Sequence, residues 1–386
     1  MKSVGIIAEY NPFHNGHLYH INKVKQMFPD AVIVLVLGGN FTQRGDVSIL
    51  DKQEKTKIAL LAGVDLVVEL PFAFSTGSAD IFAKGAIEIL QALQVDAIVF
   101  GSETNDLEGM QKLVDAQLHC KEFPSIVQVY LRSGCNYPTA LSLALKDITG
   151  KSYSLPNDLL AISYLKAISD NHYPIQCHSI LRVNNYHEAD STLSCVSATT
   201  IRSRLQQHLD VSYQVPSFVY PFLPMKPPTI DDYFAYCKYK IISEDNLERY
   251  VLVDSGIAFK LKQVIMTCDT FSQLIEKLKS RNVTYNRLSR MLLYILCGYT
   301  KEYQKEFQHV TYLRLLGFSA LGQRYLNEKK KGITIPVISK FKREKPFMLA
   351  FEYRVTMIYA LAFEKVRQRT IIEQESKCFP IRKESL

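Results

Sequence analysis

The amino-terminal half of the chain alternates short apolar runs with longer segments whose apolar residues recur at helical spacing. The runs are "SVGIIAEY" (3–10), "DAVIVLVLGG" (30–39), "VDLVVELP" (64–71), "VDAIVFGSE" (95–103) and "YPIQCHSILRV" (173–183). Nearly continuous apolar strands are typical of a sheet that is covered on both faces. With helices between successive strands, the order predicts a parallel α/β sheet flanked by helices.

The predicted helices of this half have recognisable boundary residues. They are "NGHLYHINKVKQMF" (15–28), "DKQEKTKIALLAG" (51–63), "GSADIFAKGAIEILQAL" (77–93), most of 106–170 and "SATTIRSRLQQHL" (197–209). Asp51 and Ser197 stand where an N-cap side chain accepts bonds from free N–H groups, and Gly63 follows the end of its helix.

The second half begins at a proline-rich stretch. Five prolines within 213–234 exclude a continuous helix there. Beyond it, 230–330 is predicted to be helical, "ITIPVISKF" (333–341) to contain a short extended segment, and 348–363 to form a late apolar helix. We therefore predict two domains, 1–215 and a mainly helical 216–386.

Charge separates the two halves. Residues 281–386 contain 21 Lys and Arg against nine Asp and Glu, whereas the first 280 residues contain 25 against 29. A basic region next to a near-neutral one favours a polyanionic partner. The alternative is a solvated basic surface without a partner.

Composition narrows the class of protein. With 47% hydrophobic and 22% charged residues, the chain is typical of a globular protein. No apolar run approaches the roughly 20 residues of a membrane span, and the first residues do not resemble a signal peptide. Eight scattered cysteines without a CxxC indicate reduced thiols. We expect a cytoplasmic protein that does not bind a membrane, and we infer no protein partner.

The stretch "EYNPFHNGHLYH" (9–20) places two histidines at the start of the first predicted helix. Free N–H groups at such a helix start bind phosphate, and the imidazoles of His14 and His17 add donors. Gly16 permits close approach of a nucleotide. A zinc pair is an alternative, but no HExxH and only one nearby acid, Glu9, accompany it. A purely structural pair is the third possibility.

Two motifs resemble the nucleotidyltransferase branch of the HUP-type Rossmann superfamily. "NPFHNGH" is similar to its HxGH signature, and "SATTIR" (197–202) is similar to its second phosphate motif, S/T-x-x-x-I-R. The resemblance implies that ATP binds over His14 and His17 while Ser197, Thr199 and Arg202 hold the outer phosphates. A simple Ser-capped helix is the alternative for "SATTIR".

Longer stretches resemble the bacterial tRNA(Met) cytidine acetate ligase family. They are "GIIAEYNPFHNGHLYHI", "GGNFTQRGDVSILDKQEKTKIAL", "VVELPFAFSTGSADIFAKGAIEIL", "VDAIVFGSE" and "LRLLGFSALGQRYL". The resemblance covers most of the chain. It implies a ligase that makes acetyl-adenylate from ATP and acetate and acetylates the wobble cytidine of elongator tRNA(Met). A small-molecule adenylyltransferase with the same motifs is the alternative.

The resemblance also implies site residues. His14, His17 and Arg202 would be catalytic, neutralising charge that forms on pyrophosphate together with Mg²⁺ carried by the triphosphate. The implied ATP-binding residues are Ile7, Ala8, Glu9, Tyr10, Asn11, Pro12, Phe13, His14, Asn15, Gly16, His17, Leu18, Tyr19, His20, Gly101, Asn157, Arg182, Ser197 and Thr199. No protein-held metal site is expected.

Two further regions are candidates for substrate contact. Gln43 and Arg44 in "GGNFTQRGD" (38–46) would contact acetate or the cytidine, unless the loop is only a rigid connection. The basic stretches "NEKKKG" (327–332) and "KFKREK" (340–345) suit the phosphate backbone of tRNA.

Overall fold

A central sheet built mainly from the amino-terminal half organises the molecule. The computed structural model describes residues 1–135, 137–182, 196–280, 283–341 and 346–386. Within them the strands are Ser3–Ala8 (β1), Val32–Gly38 (β2), Leu66–Leu70 (β3), Ala97–Ser102 (β4), Gln176–Leu181 (β5), Leu313–Phe318 (β6), Val337–Ile338 (β7) and Ile381–Arg382 (β8). The five strands of the amino-terminal half are parallel in the order β5-β4-β1-β2-β3, as predicted.

Helices cover the sheet and form most of the second half. They are Asn15–Met27 (α1), Lys52–Leu61 (α2), Phe72–Ser75 (α3), Ala79–Ala92 (α4), Leu107–His119 (α5), Phe123–Arg132 (α6), Tyr137–Thr149 (α7), Pro156–Asp170 (α8), Ala198–Gln206 (α9), Phe234–Ser243 (α10), Ser255–Val264 (α11), Phe271–Leu278 (α12), Tyr285–Cys297 (α13), Lys301–Glu306 (α14), Ala320–Lys329 (α15), Phe347–Ala360 (α16) and Lys365–Lys377 (α17). The Rossmann-like α/β fold with a mainly helical second half is therefore confirmed.

The predicted caps explain where helices begin. Asp51 accepts bonds from the N–H groups of Gln53 and Glu54 at the start of α2, and Ser197 accepts one from Thr200 at the start of α9. Gly63 follows α2 with a φ of 97°, a conformation that glycine adopts without steric cost.

The prediction that 230–330 is helical was wrong at Leu313–Phe318. This segment forms β6, which pairs antiparallel with β3, while β7 and β8 pair with β6. A six-residue apolar run has no period that separates strand from helix, so the free edge of β3 decides its structure. One hydrophobic core layer consequently contains residues of both halves.

A buried ion-pair cluster also joins the two halves. Lys52 Nζ lies 2.6 Å from Glu69 Oε1 and 2.7 Å from Glu375 Oε2, and all three side chains are at most 3% exposed. Glu352 lies close by and accepts a bond from the Phe72 N–H. Burial acts to lower the pKa of Lys52, but the carboxylates outweigh it and raise that pKa. Lys52 is therefore the cation that keeps these carboxylates compatible with the core.

Some predicted features lie outside the described residues. These are Cys195, residues 184–195 of the polar loop, Arg281 and residues 342–345 of "KFKREK". The seven described cysteines form no disulfide with one another.

We predict that Lys52→Met destabilises the fold by about 3–5 kcal/mol, because it removes the ion-pair partner of two buried carboxylates. Urea unfolding followed by circular dichroism measures the change. Lys112→Met is the control, since Lys112 pairs with Glu108 on the surface and its loss leaves the unfolding midpoint unchanged. An unchanged midpoint for Lys52→Met would contradict the assigned role of the cluster.

Candidate functional site

A cleft lies at the carboxyl ends of β1 and β4, where the strand order reverses. The chain leaves β1 towards β2 and β3 on one side, and β4 and β5 extend the sheet on the other. In open α/β sheets such a switch point forms the crevice that binds ligands. The cleft is lined by residues of β1, α1, the 40–46 loop, β4, α8, β5 and α9.

His14 and His17 cap the start of α1 with their own imidazoles. His14 Nδ1 accepts a bond from Gly16 N at 3.0 Å, and His17 Nδ1 accepts one from His14 N at 3.2 Å. The two rings stack with centroids 3.8 Å apart. Reciprocal capping of this kind fixes both side chains relative to the helix axis.

The capping bonds determine where the imidazole protons are. Burial lowers the pKa of His14 to about 4 and the pKa of His17 well below its usual value, so both rings are neutral near pH 7. Because each Nδ1 accepts a hydrogen bond, the single proton of each ring resides on Nε2. Two Nε2–H donors beside a helix N-terminus suit a bound phosphate.

Arg202 reaches this helix start from α9. Its Nη1 donates to the carbonyl of Asn11 at 2.8 Å, and its Nη2 lies 3.4 Å from Thr199 Oγ1 and 3.8 Å from Asp46 Oδ2. The bond between Arg202 and Asn11 joins residues that are 191 positions apart in the sequence. The two motifs recognised in the sequence therefore meet over one cleft.

A second polar group lies at the β4 side of the cleft. Arg182 Nη1 donates to Asn157 Oδ1 at 2.8 Å, and Asn157 Nδ2 donates to Glu103 Oε1 at 2.5 Å. Gly101 lies beneath the arginine, where a Cβ would come within 3.0 Å of Arg182 Cγ. The sequence-predicted residues Gly101, Asn157 and Arg182 therefore form one contiguous group.

The 40–46 loop closes the third side. Glu9 Oε1 accepts a bond from Gln43 N at 2.6 Å, and Lys55 Nζ donates to the carbonyls of Gly38 and Gly39 beneath it. Arg44 is exposed at the cleft, and Gly45 packs against α13, where its carbonyl accepts from Ser289 Oγ. The loop is held from both halves of the chain.

The cleft brings together most of the predicted site residues, but not all. Pro12, Phe13, Asn15 and Leu18 do not line it. Phe13 is fully buried against Tyr10 and Phe218, and Asn15 Nδ2 donates to the carbonyl of Tyr213. These side chains support the shape of the 9–20 segment from behind.

Several residues of the site were not identified from the sequence. Asp46 lies beside Arg202, Glu103 holds Asn157, and Asp158 accepts bonds from Ser102 Oγ and Glu103 N. Glu103 ends the predicted segment "VDAIVFGSE", and Asp158 directly follows the predicted residue Asn157. These positions were the signal that the sequence offered for them. Asp46 ends the stretch "GGNFTQRGD" (38–46), whose Gln43 and Arg44 were predicted to contact substrate, but nothing in that stretch distinguished Asp46 itself.

Metal binding by the protein receives no support from the described side chains. Among the residues that the structure describes, no group of three or more His, Cys, Asp or Glu side chains could hold a metal ion. The described residues therefore offer no further ligands for the zinc alternative at His14 and His17. No helix in the described part of the chain is long and apolar enough to cross a membrane.

Two basic parts of the second half occupy different places relative to the sheet and the cleft. The carbonyl of Lys329 accepts a hydrogen bond from Gln94 Nε2, and the hydroxyl of Tyr325 in the same helix donates to the carbonyl of Leu93. The stretch "NEKKKG" (327–332) therefore lies at the amino edge of the sheet, where the parallel strands begin. Arg287 is exposed at the start of α13, the helix that contacts the 40–46 loop.

Comparisons with known proteins agree with this architecture. A family model described as "HIGH Nucleotidyl Transferase" matches residues 1–374. A relative from Geobacillus sp. (strain WCH70), named tRNA(Met) cytidine acetate ligase, is 36% identical and is covered in full by 99% of this chain. A Bacillus subtilis (strain 168) relative of the same name is 32% identical, with 99% of this chain and 97% of its own length matched.

A solved structure is similar over the same span. The crystal structure of Thermotoga maritima TmcAL bound with alpha-thio ATP superposes with a TM-score of 0.89 at 26% sequence identity. The superposition covers 99% of each chain.

We predict that His14 and His17 remain neutral and carry their proton on Nε2 at pH 6. Long-range ¹H–¹⁵N correlation spectra of the histidine side chains measure both properties. In urea-unfolded protein the same rings titrate near the usual value of about 6.5, which provides the reference. Titration of either ring near pH 6.5 in the folded protein, or an Nδ1 proton, would contradict the capping geometry.

Proposed function

We propose that this chain, which belongs to the tRNA(Met) cytidine acetate ligase family, uses the cleft at β1 and β4 to activate acetate with ATP. It then transfers the acetyl group to the exocyclic amine of the wobble cytidine of elongator tRNA(Met). The observation that supports this most strongly is the meeting of both phosphate motifs, in the bond from Arg202 to the Asn11 carbonyl.

Activation requires that negative charge on the leaving pyrophosphate be neutralised. Acetate resists nucleophilic attack, whereas a mixed anhydride with AMP has a good leaving group. The Nε2–H groups of His14 and His17, the start of α1 and Arg202 are preorganised donors around one space. Because these groups are held by capping and main-chain bonds, they need little rearrangement when charge develops.

ATP would enter as its magnesium complex. Mg²⁺ bound to the triphosphate requires few protein ligands, which fits a cleft without a carboxylate cluster among the described residues. Arg182, Asn157 and Gly101 would receive the nucleoside end, opposite the phosphate donors. Ser197, which caps α9 as an acceptor, would hold the outer phosphates together with Thr199 and Arg202.

Transfer requires a nucleobase that can reach the cleft. A wobble base lies in a single-stranded loop, so presenting its amine needs no opening of a base pair. We assign residues 1–215 to catalysis and 216–386 mainly to tRNA binding, with β6 as the part of the second region that completes the sheet. A cytoplasmic location follows from tRNA as the substrate.

A small-molecule adenylyltransferase is the competing function. It would use the same two motifs but would have no use for a basic second region that contacts the 40–46 loop through α13. The dependence of the reaction on acetate and tRNA separates the two functions.

We predict that purified protein releases pyrophosphate from MgATP when acetate is added, and that tRNA accelerates turnover by consuming the acetyl-adenylate. A coupled pyrophosphate assay measures both effects. Glycolate and propionate are the matched controls for acid specificity. Absence of acetate stimulation would contradict the ligase function and favour the adenylyltransferase.

His17→Ala should abolish acetate-dependent pyrophosphate release while tRNA binding is retained, because the substitution removes a phosphate donor inside the cleft. Circular dichroism checks the fold, since His17 also caps α1. His17→Asn is the companion variant, because its amide retains both donor and acceptor capacity. Wild-type adenylation by His17→Ala would exclude His17 from the site.

Arg287→Ala should weaken tRNA binding and reduce the slope of log affinity against log salt by about one, because one phosphate contact is lost. Lys331→Ala serves as the control at the amino edge of the sheet and should change affinity less. Filter binding at several salt concentrations measures both. The reverse order of effects would place the tRNA across the amino edge of the sheet.

A further inference from the structure

The transfer step leaves a proton to be removed, and the following inference about it depends on the proposed function. As the cytidine amine attacks, a bond forms between N4 and the acetyl carbon. The bond from that carbon to the phosphate oxygen breaks, and AMP leaves with the electron pair. The nitrogen then carries one proton too many, so a basic group at the cleft must accept it.

The histidines of the cleft are poorly suited to this task. The Nδ1 atoms of His14 and His17 already accept main-chain bonds, and their Nε2 atoms carry protons. His20 also faces the cleft, but burial lowers its pKa to about 4, so it is a weak base. The histidine rings of the site therefore act as hydrogen-bond donors or remain uncharged.

The described carboxylates that line the cleft are Asp46 and Glu9. Asp46 lies beside Arg202, and its Oδ1 accepts a bond from Val47 N at 2.8 Å. Glu9 uses Oε1 to accept the bond from Gln43 N at 2.6 Å. Within the described part of the chain, no hydrogen-bond donor reaches its Oε2.

The position of Glu9 separates it from the phosphate donors. Side chains alternate along β1, so Ile6 packs in the core layer under α1, whereas Ile7 packs against the opposite layer. Glu9 follows Ile7 by two residues and lies on the same side of the sheet, near Tyr164 of α8 and beside Gly38. The histidines and Glu9 thus approach the cleft from opposite sides of the sheet edge.

We propose that Glu9 is a catalytic residue whose Oε2 accepts the proton that the cytidine amine loses during acetyl transfer. The wall on its side of the cleft is apolar, formed by Phe82, Phe100, Leu160 and Tyr164. Such a wall suits an acetyl methyl group and the face of a pyrimidine, and it excludes water that would hydrolyse the adenylate.

The groups that face Glu9 are compatible with this role. Burial raises its pKa, which makes it a stronger base than an exposed glutamate, while the bond from Gln43 N and the charges of Lys55, Arg44 and Arg202 act in the opposite direction. Tyr164 faces it from α8 with a pKa that burial raises, so its hydroxyl stays protonated. Burial also lowers the pKa of Lys55, to about 8, but its Nζ donates to the carbonyls of Glu9, Gly38 and Gly39 and does not line the cleft. The Glu9 carboxylate is thus the base that this side presents to the cleft.

Glu9→Gln tests the proposal because an amide oxygen can still accept from Gln43 N and hold the loop. We expect acetate-dependent pyrophosphate release without tRNA to retain at least about a third of the wild-type rate. Transfer from preformed acetyl-adenylate to tRNA, followed by rapid quench, should slow by about a hundredfold or more. In the wild type, transfer should rise with pH through one ionisation that Glu9→Gln abolishes.

Two controls make the outcomes distinct. Glu108→Gln removes an exposed carboxylate on α5 and should leave both steps unchanged. Asp46→Asn should impair pyrophosphate release, because Asp46 lies beside Arg202. A wild-type rate of acetyl transfer in Glu9→Gln, or an unchanged pH profile of that transfer, would overturn the proposal. Loss of pyrophosphate release in Glu9→Gln that excess Mg²⁺ restores would also overturn it. If the wild type itself lacks acetate-dependent release, the proposed function fails instead.

Discussion

The start of α1 is held by two imidazole rings, and the chemistry of the cleft depends on this arrangement. His14 and His17 satisfy main-chain N–H groups with Nδ1, and burial keeps both rings neutral. The same bonds leave Nε2–H groups directed by the helix rather than by side-chain rotation. The bonds that satisfy the free N–H groups at the start of α1 thereby also fix two hydrogen-bond donors in place. Arg202 adds a permanent positive charge from α9, a helix far away in the sequence.

The second half of the chain is part of the sheet and of the loop that shapes the cleft. Strand β6 covers the edge of β3, Lys52 joins Glu69 to Glu375, and Ser289 holds the 40–46 loop at Gly45. Gln43 of that loop donates in turn to Glu9. Contacts made by α13 can therefore reach the cleft through a short series of packed groups.

Local patterns predicted the parallel sheet, the caps at Asp51 and Ser197, and the histidine pair, because each depends on neighbours along the chain. Leu313–Phe318 could not be assigned, since its strand structure depends on a partner more than 240 residues earlier. Asp46 and Glu103 also escaped detection, because their importance follows from side chains that only the fold brings near. The family resemblance, carried by motifs spread over most of the chain, is confirmed by relatives at 32–36% identity.

Direct chemical analysis of the tRNA tests the central claim most sharply. Unmodified elongator tRNA(Met) is incubated with the protein, MgATP and trideuterated acetate. The tRNA is then digested, and the masses of its separated nucleosides are measured by mass spectrometry. The account predicts N4-acetylcytidine that carries all three deuterons, at the wobble position alone, and only when ATP is present. Unmodified cytidine at that position, with ATP consumed, would contradict it.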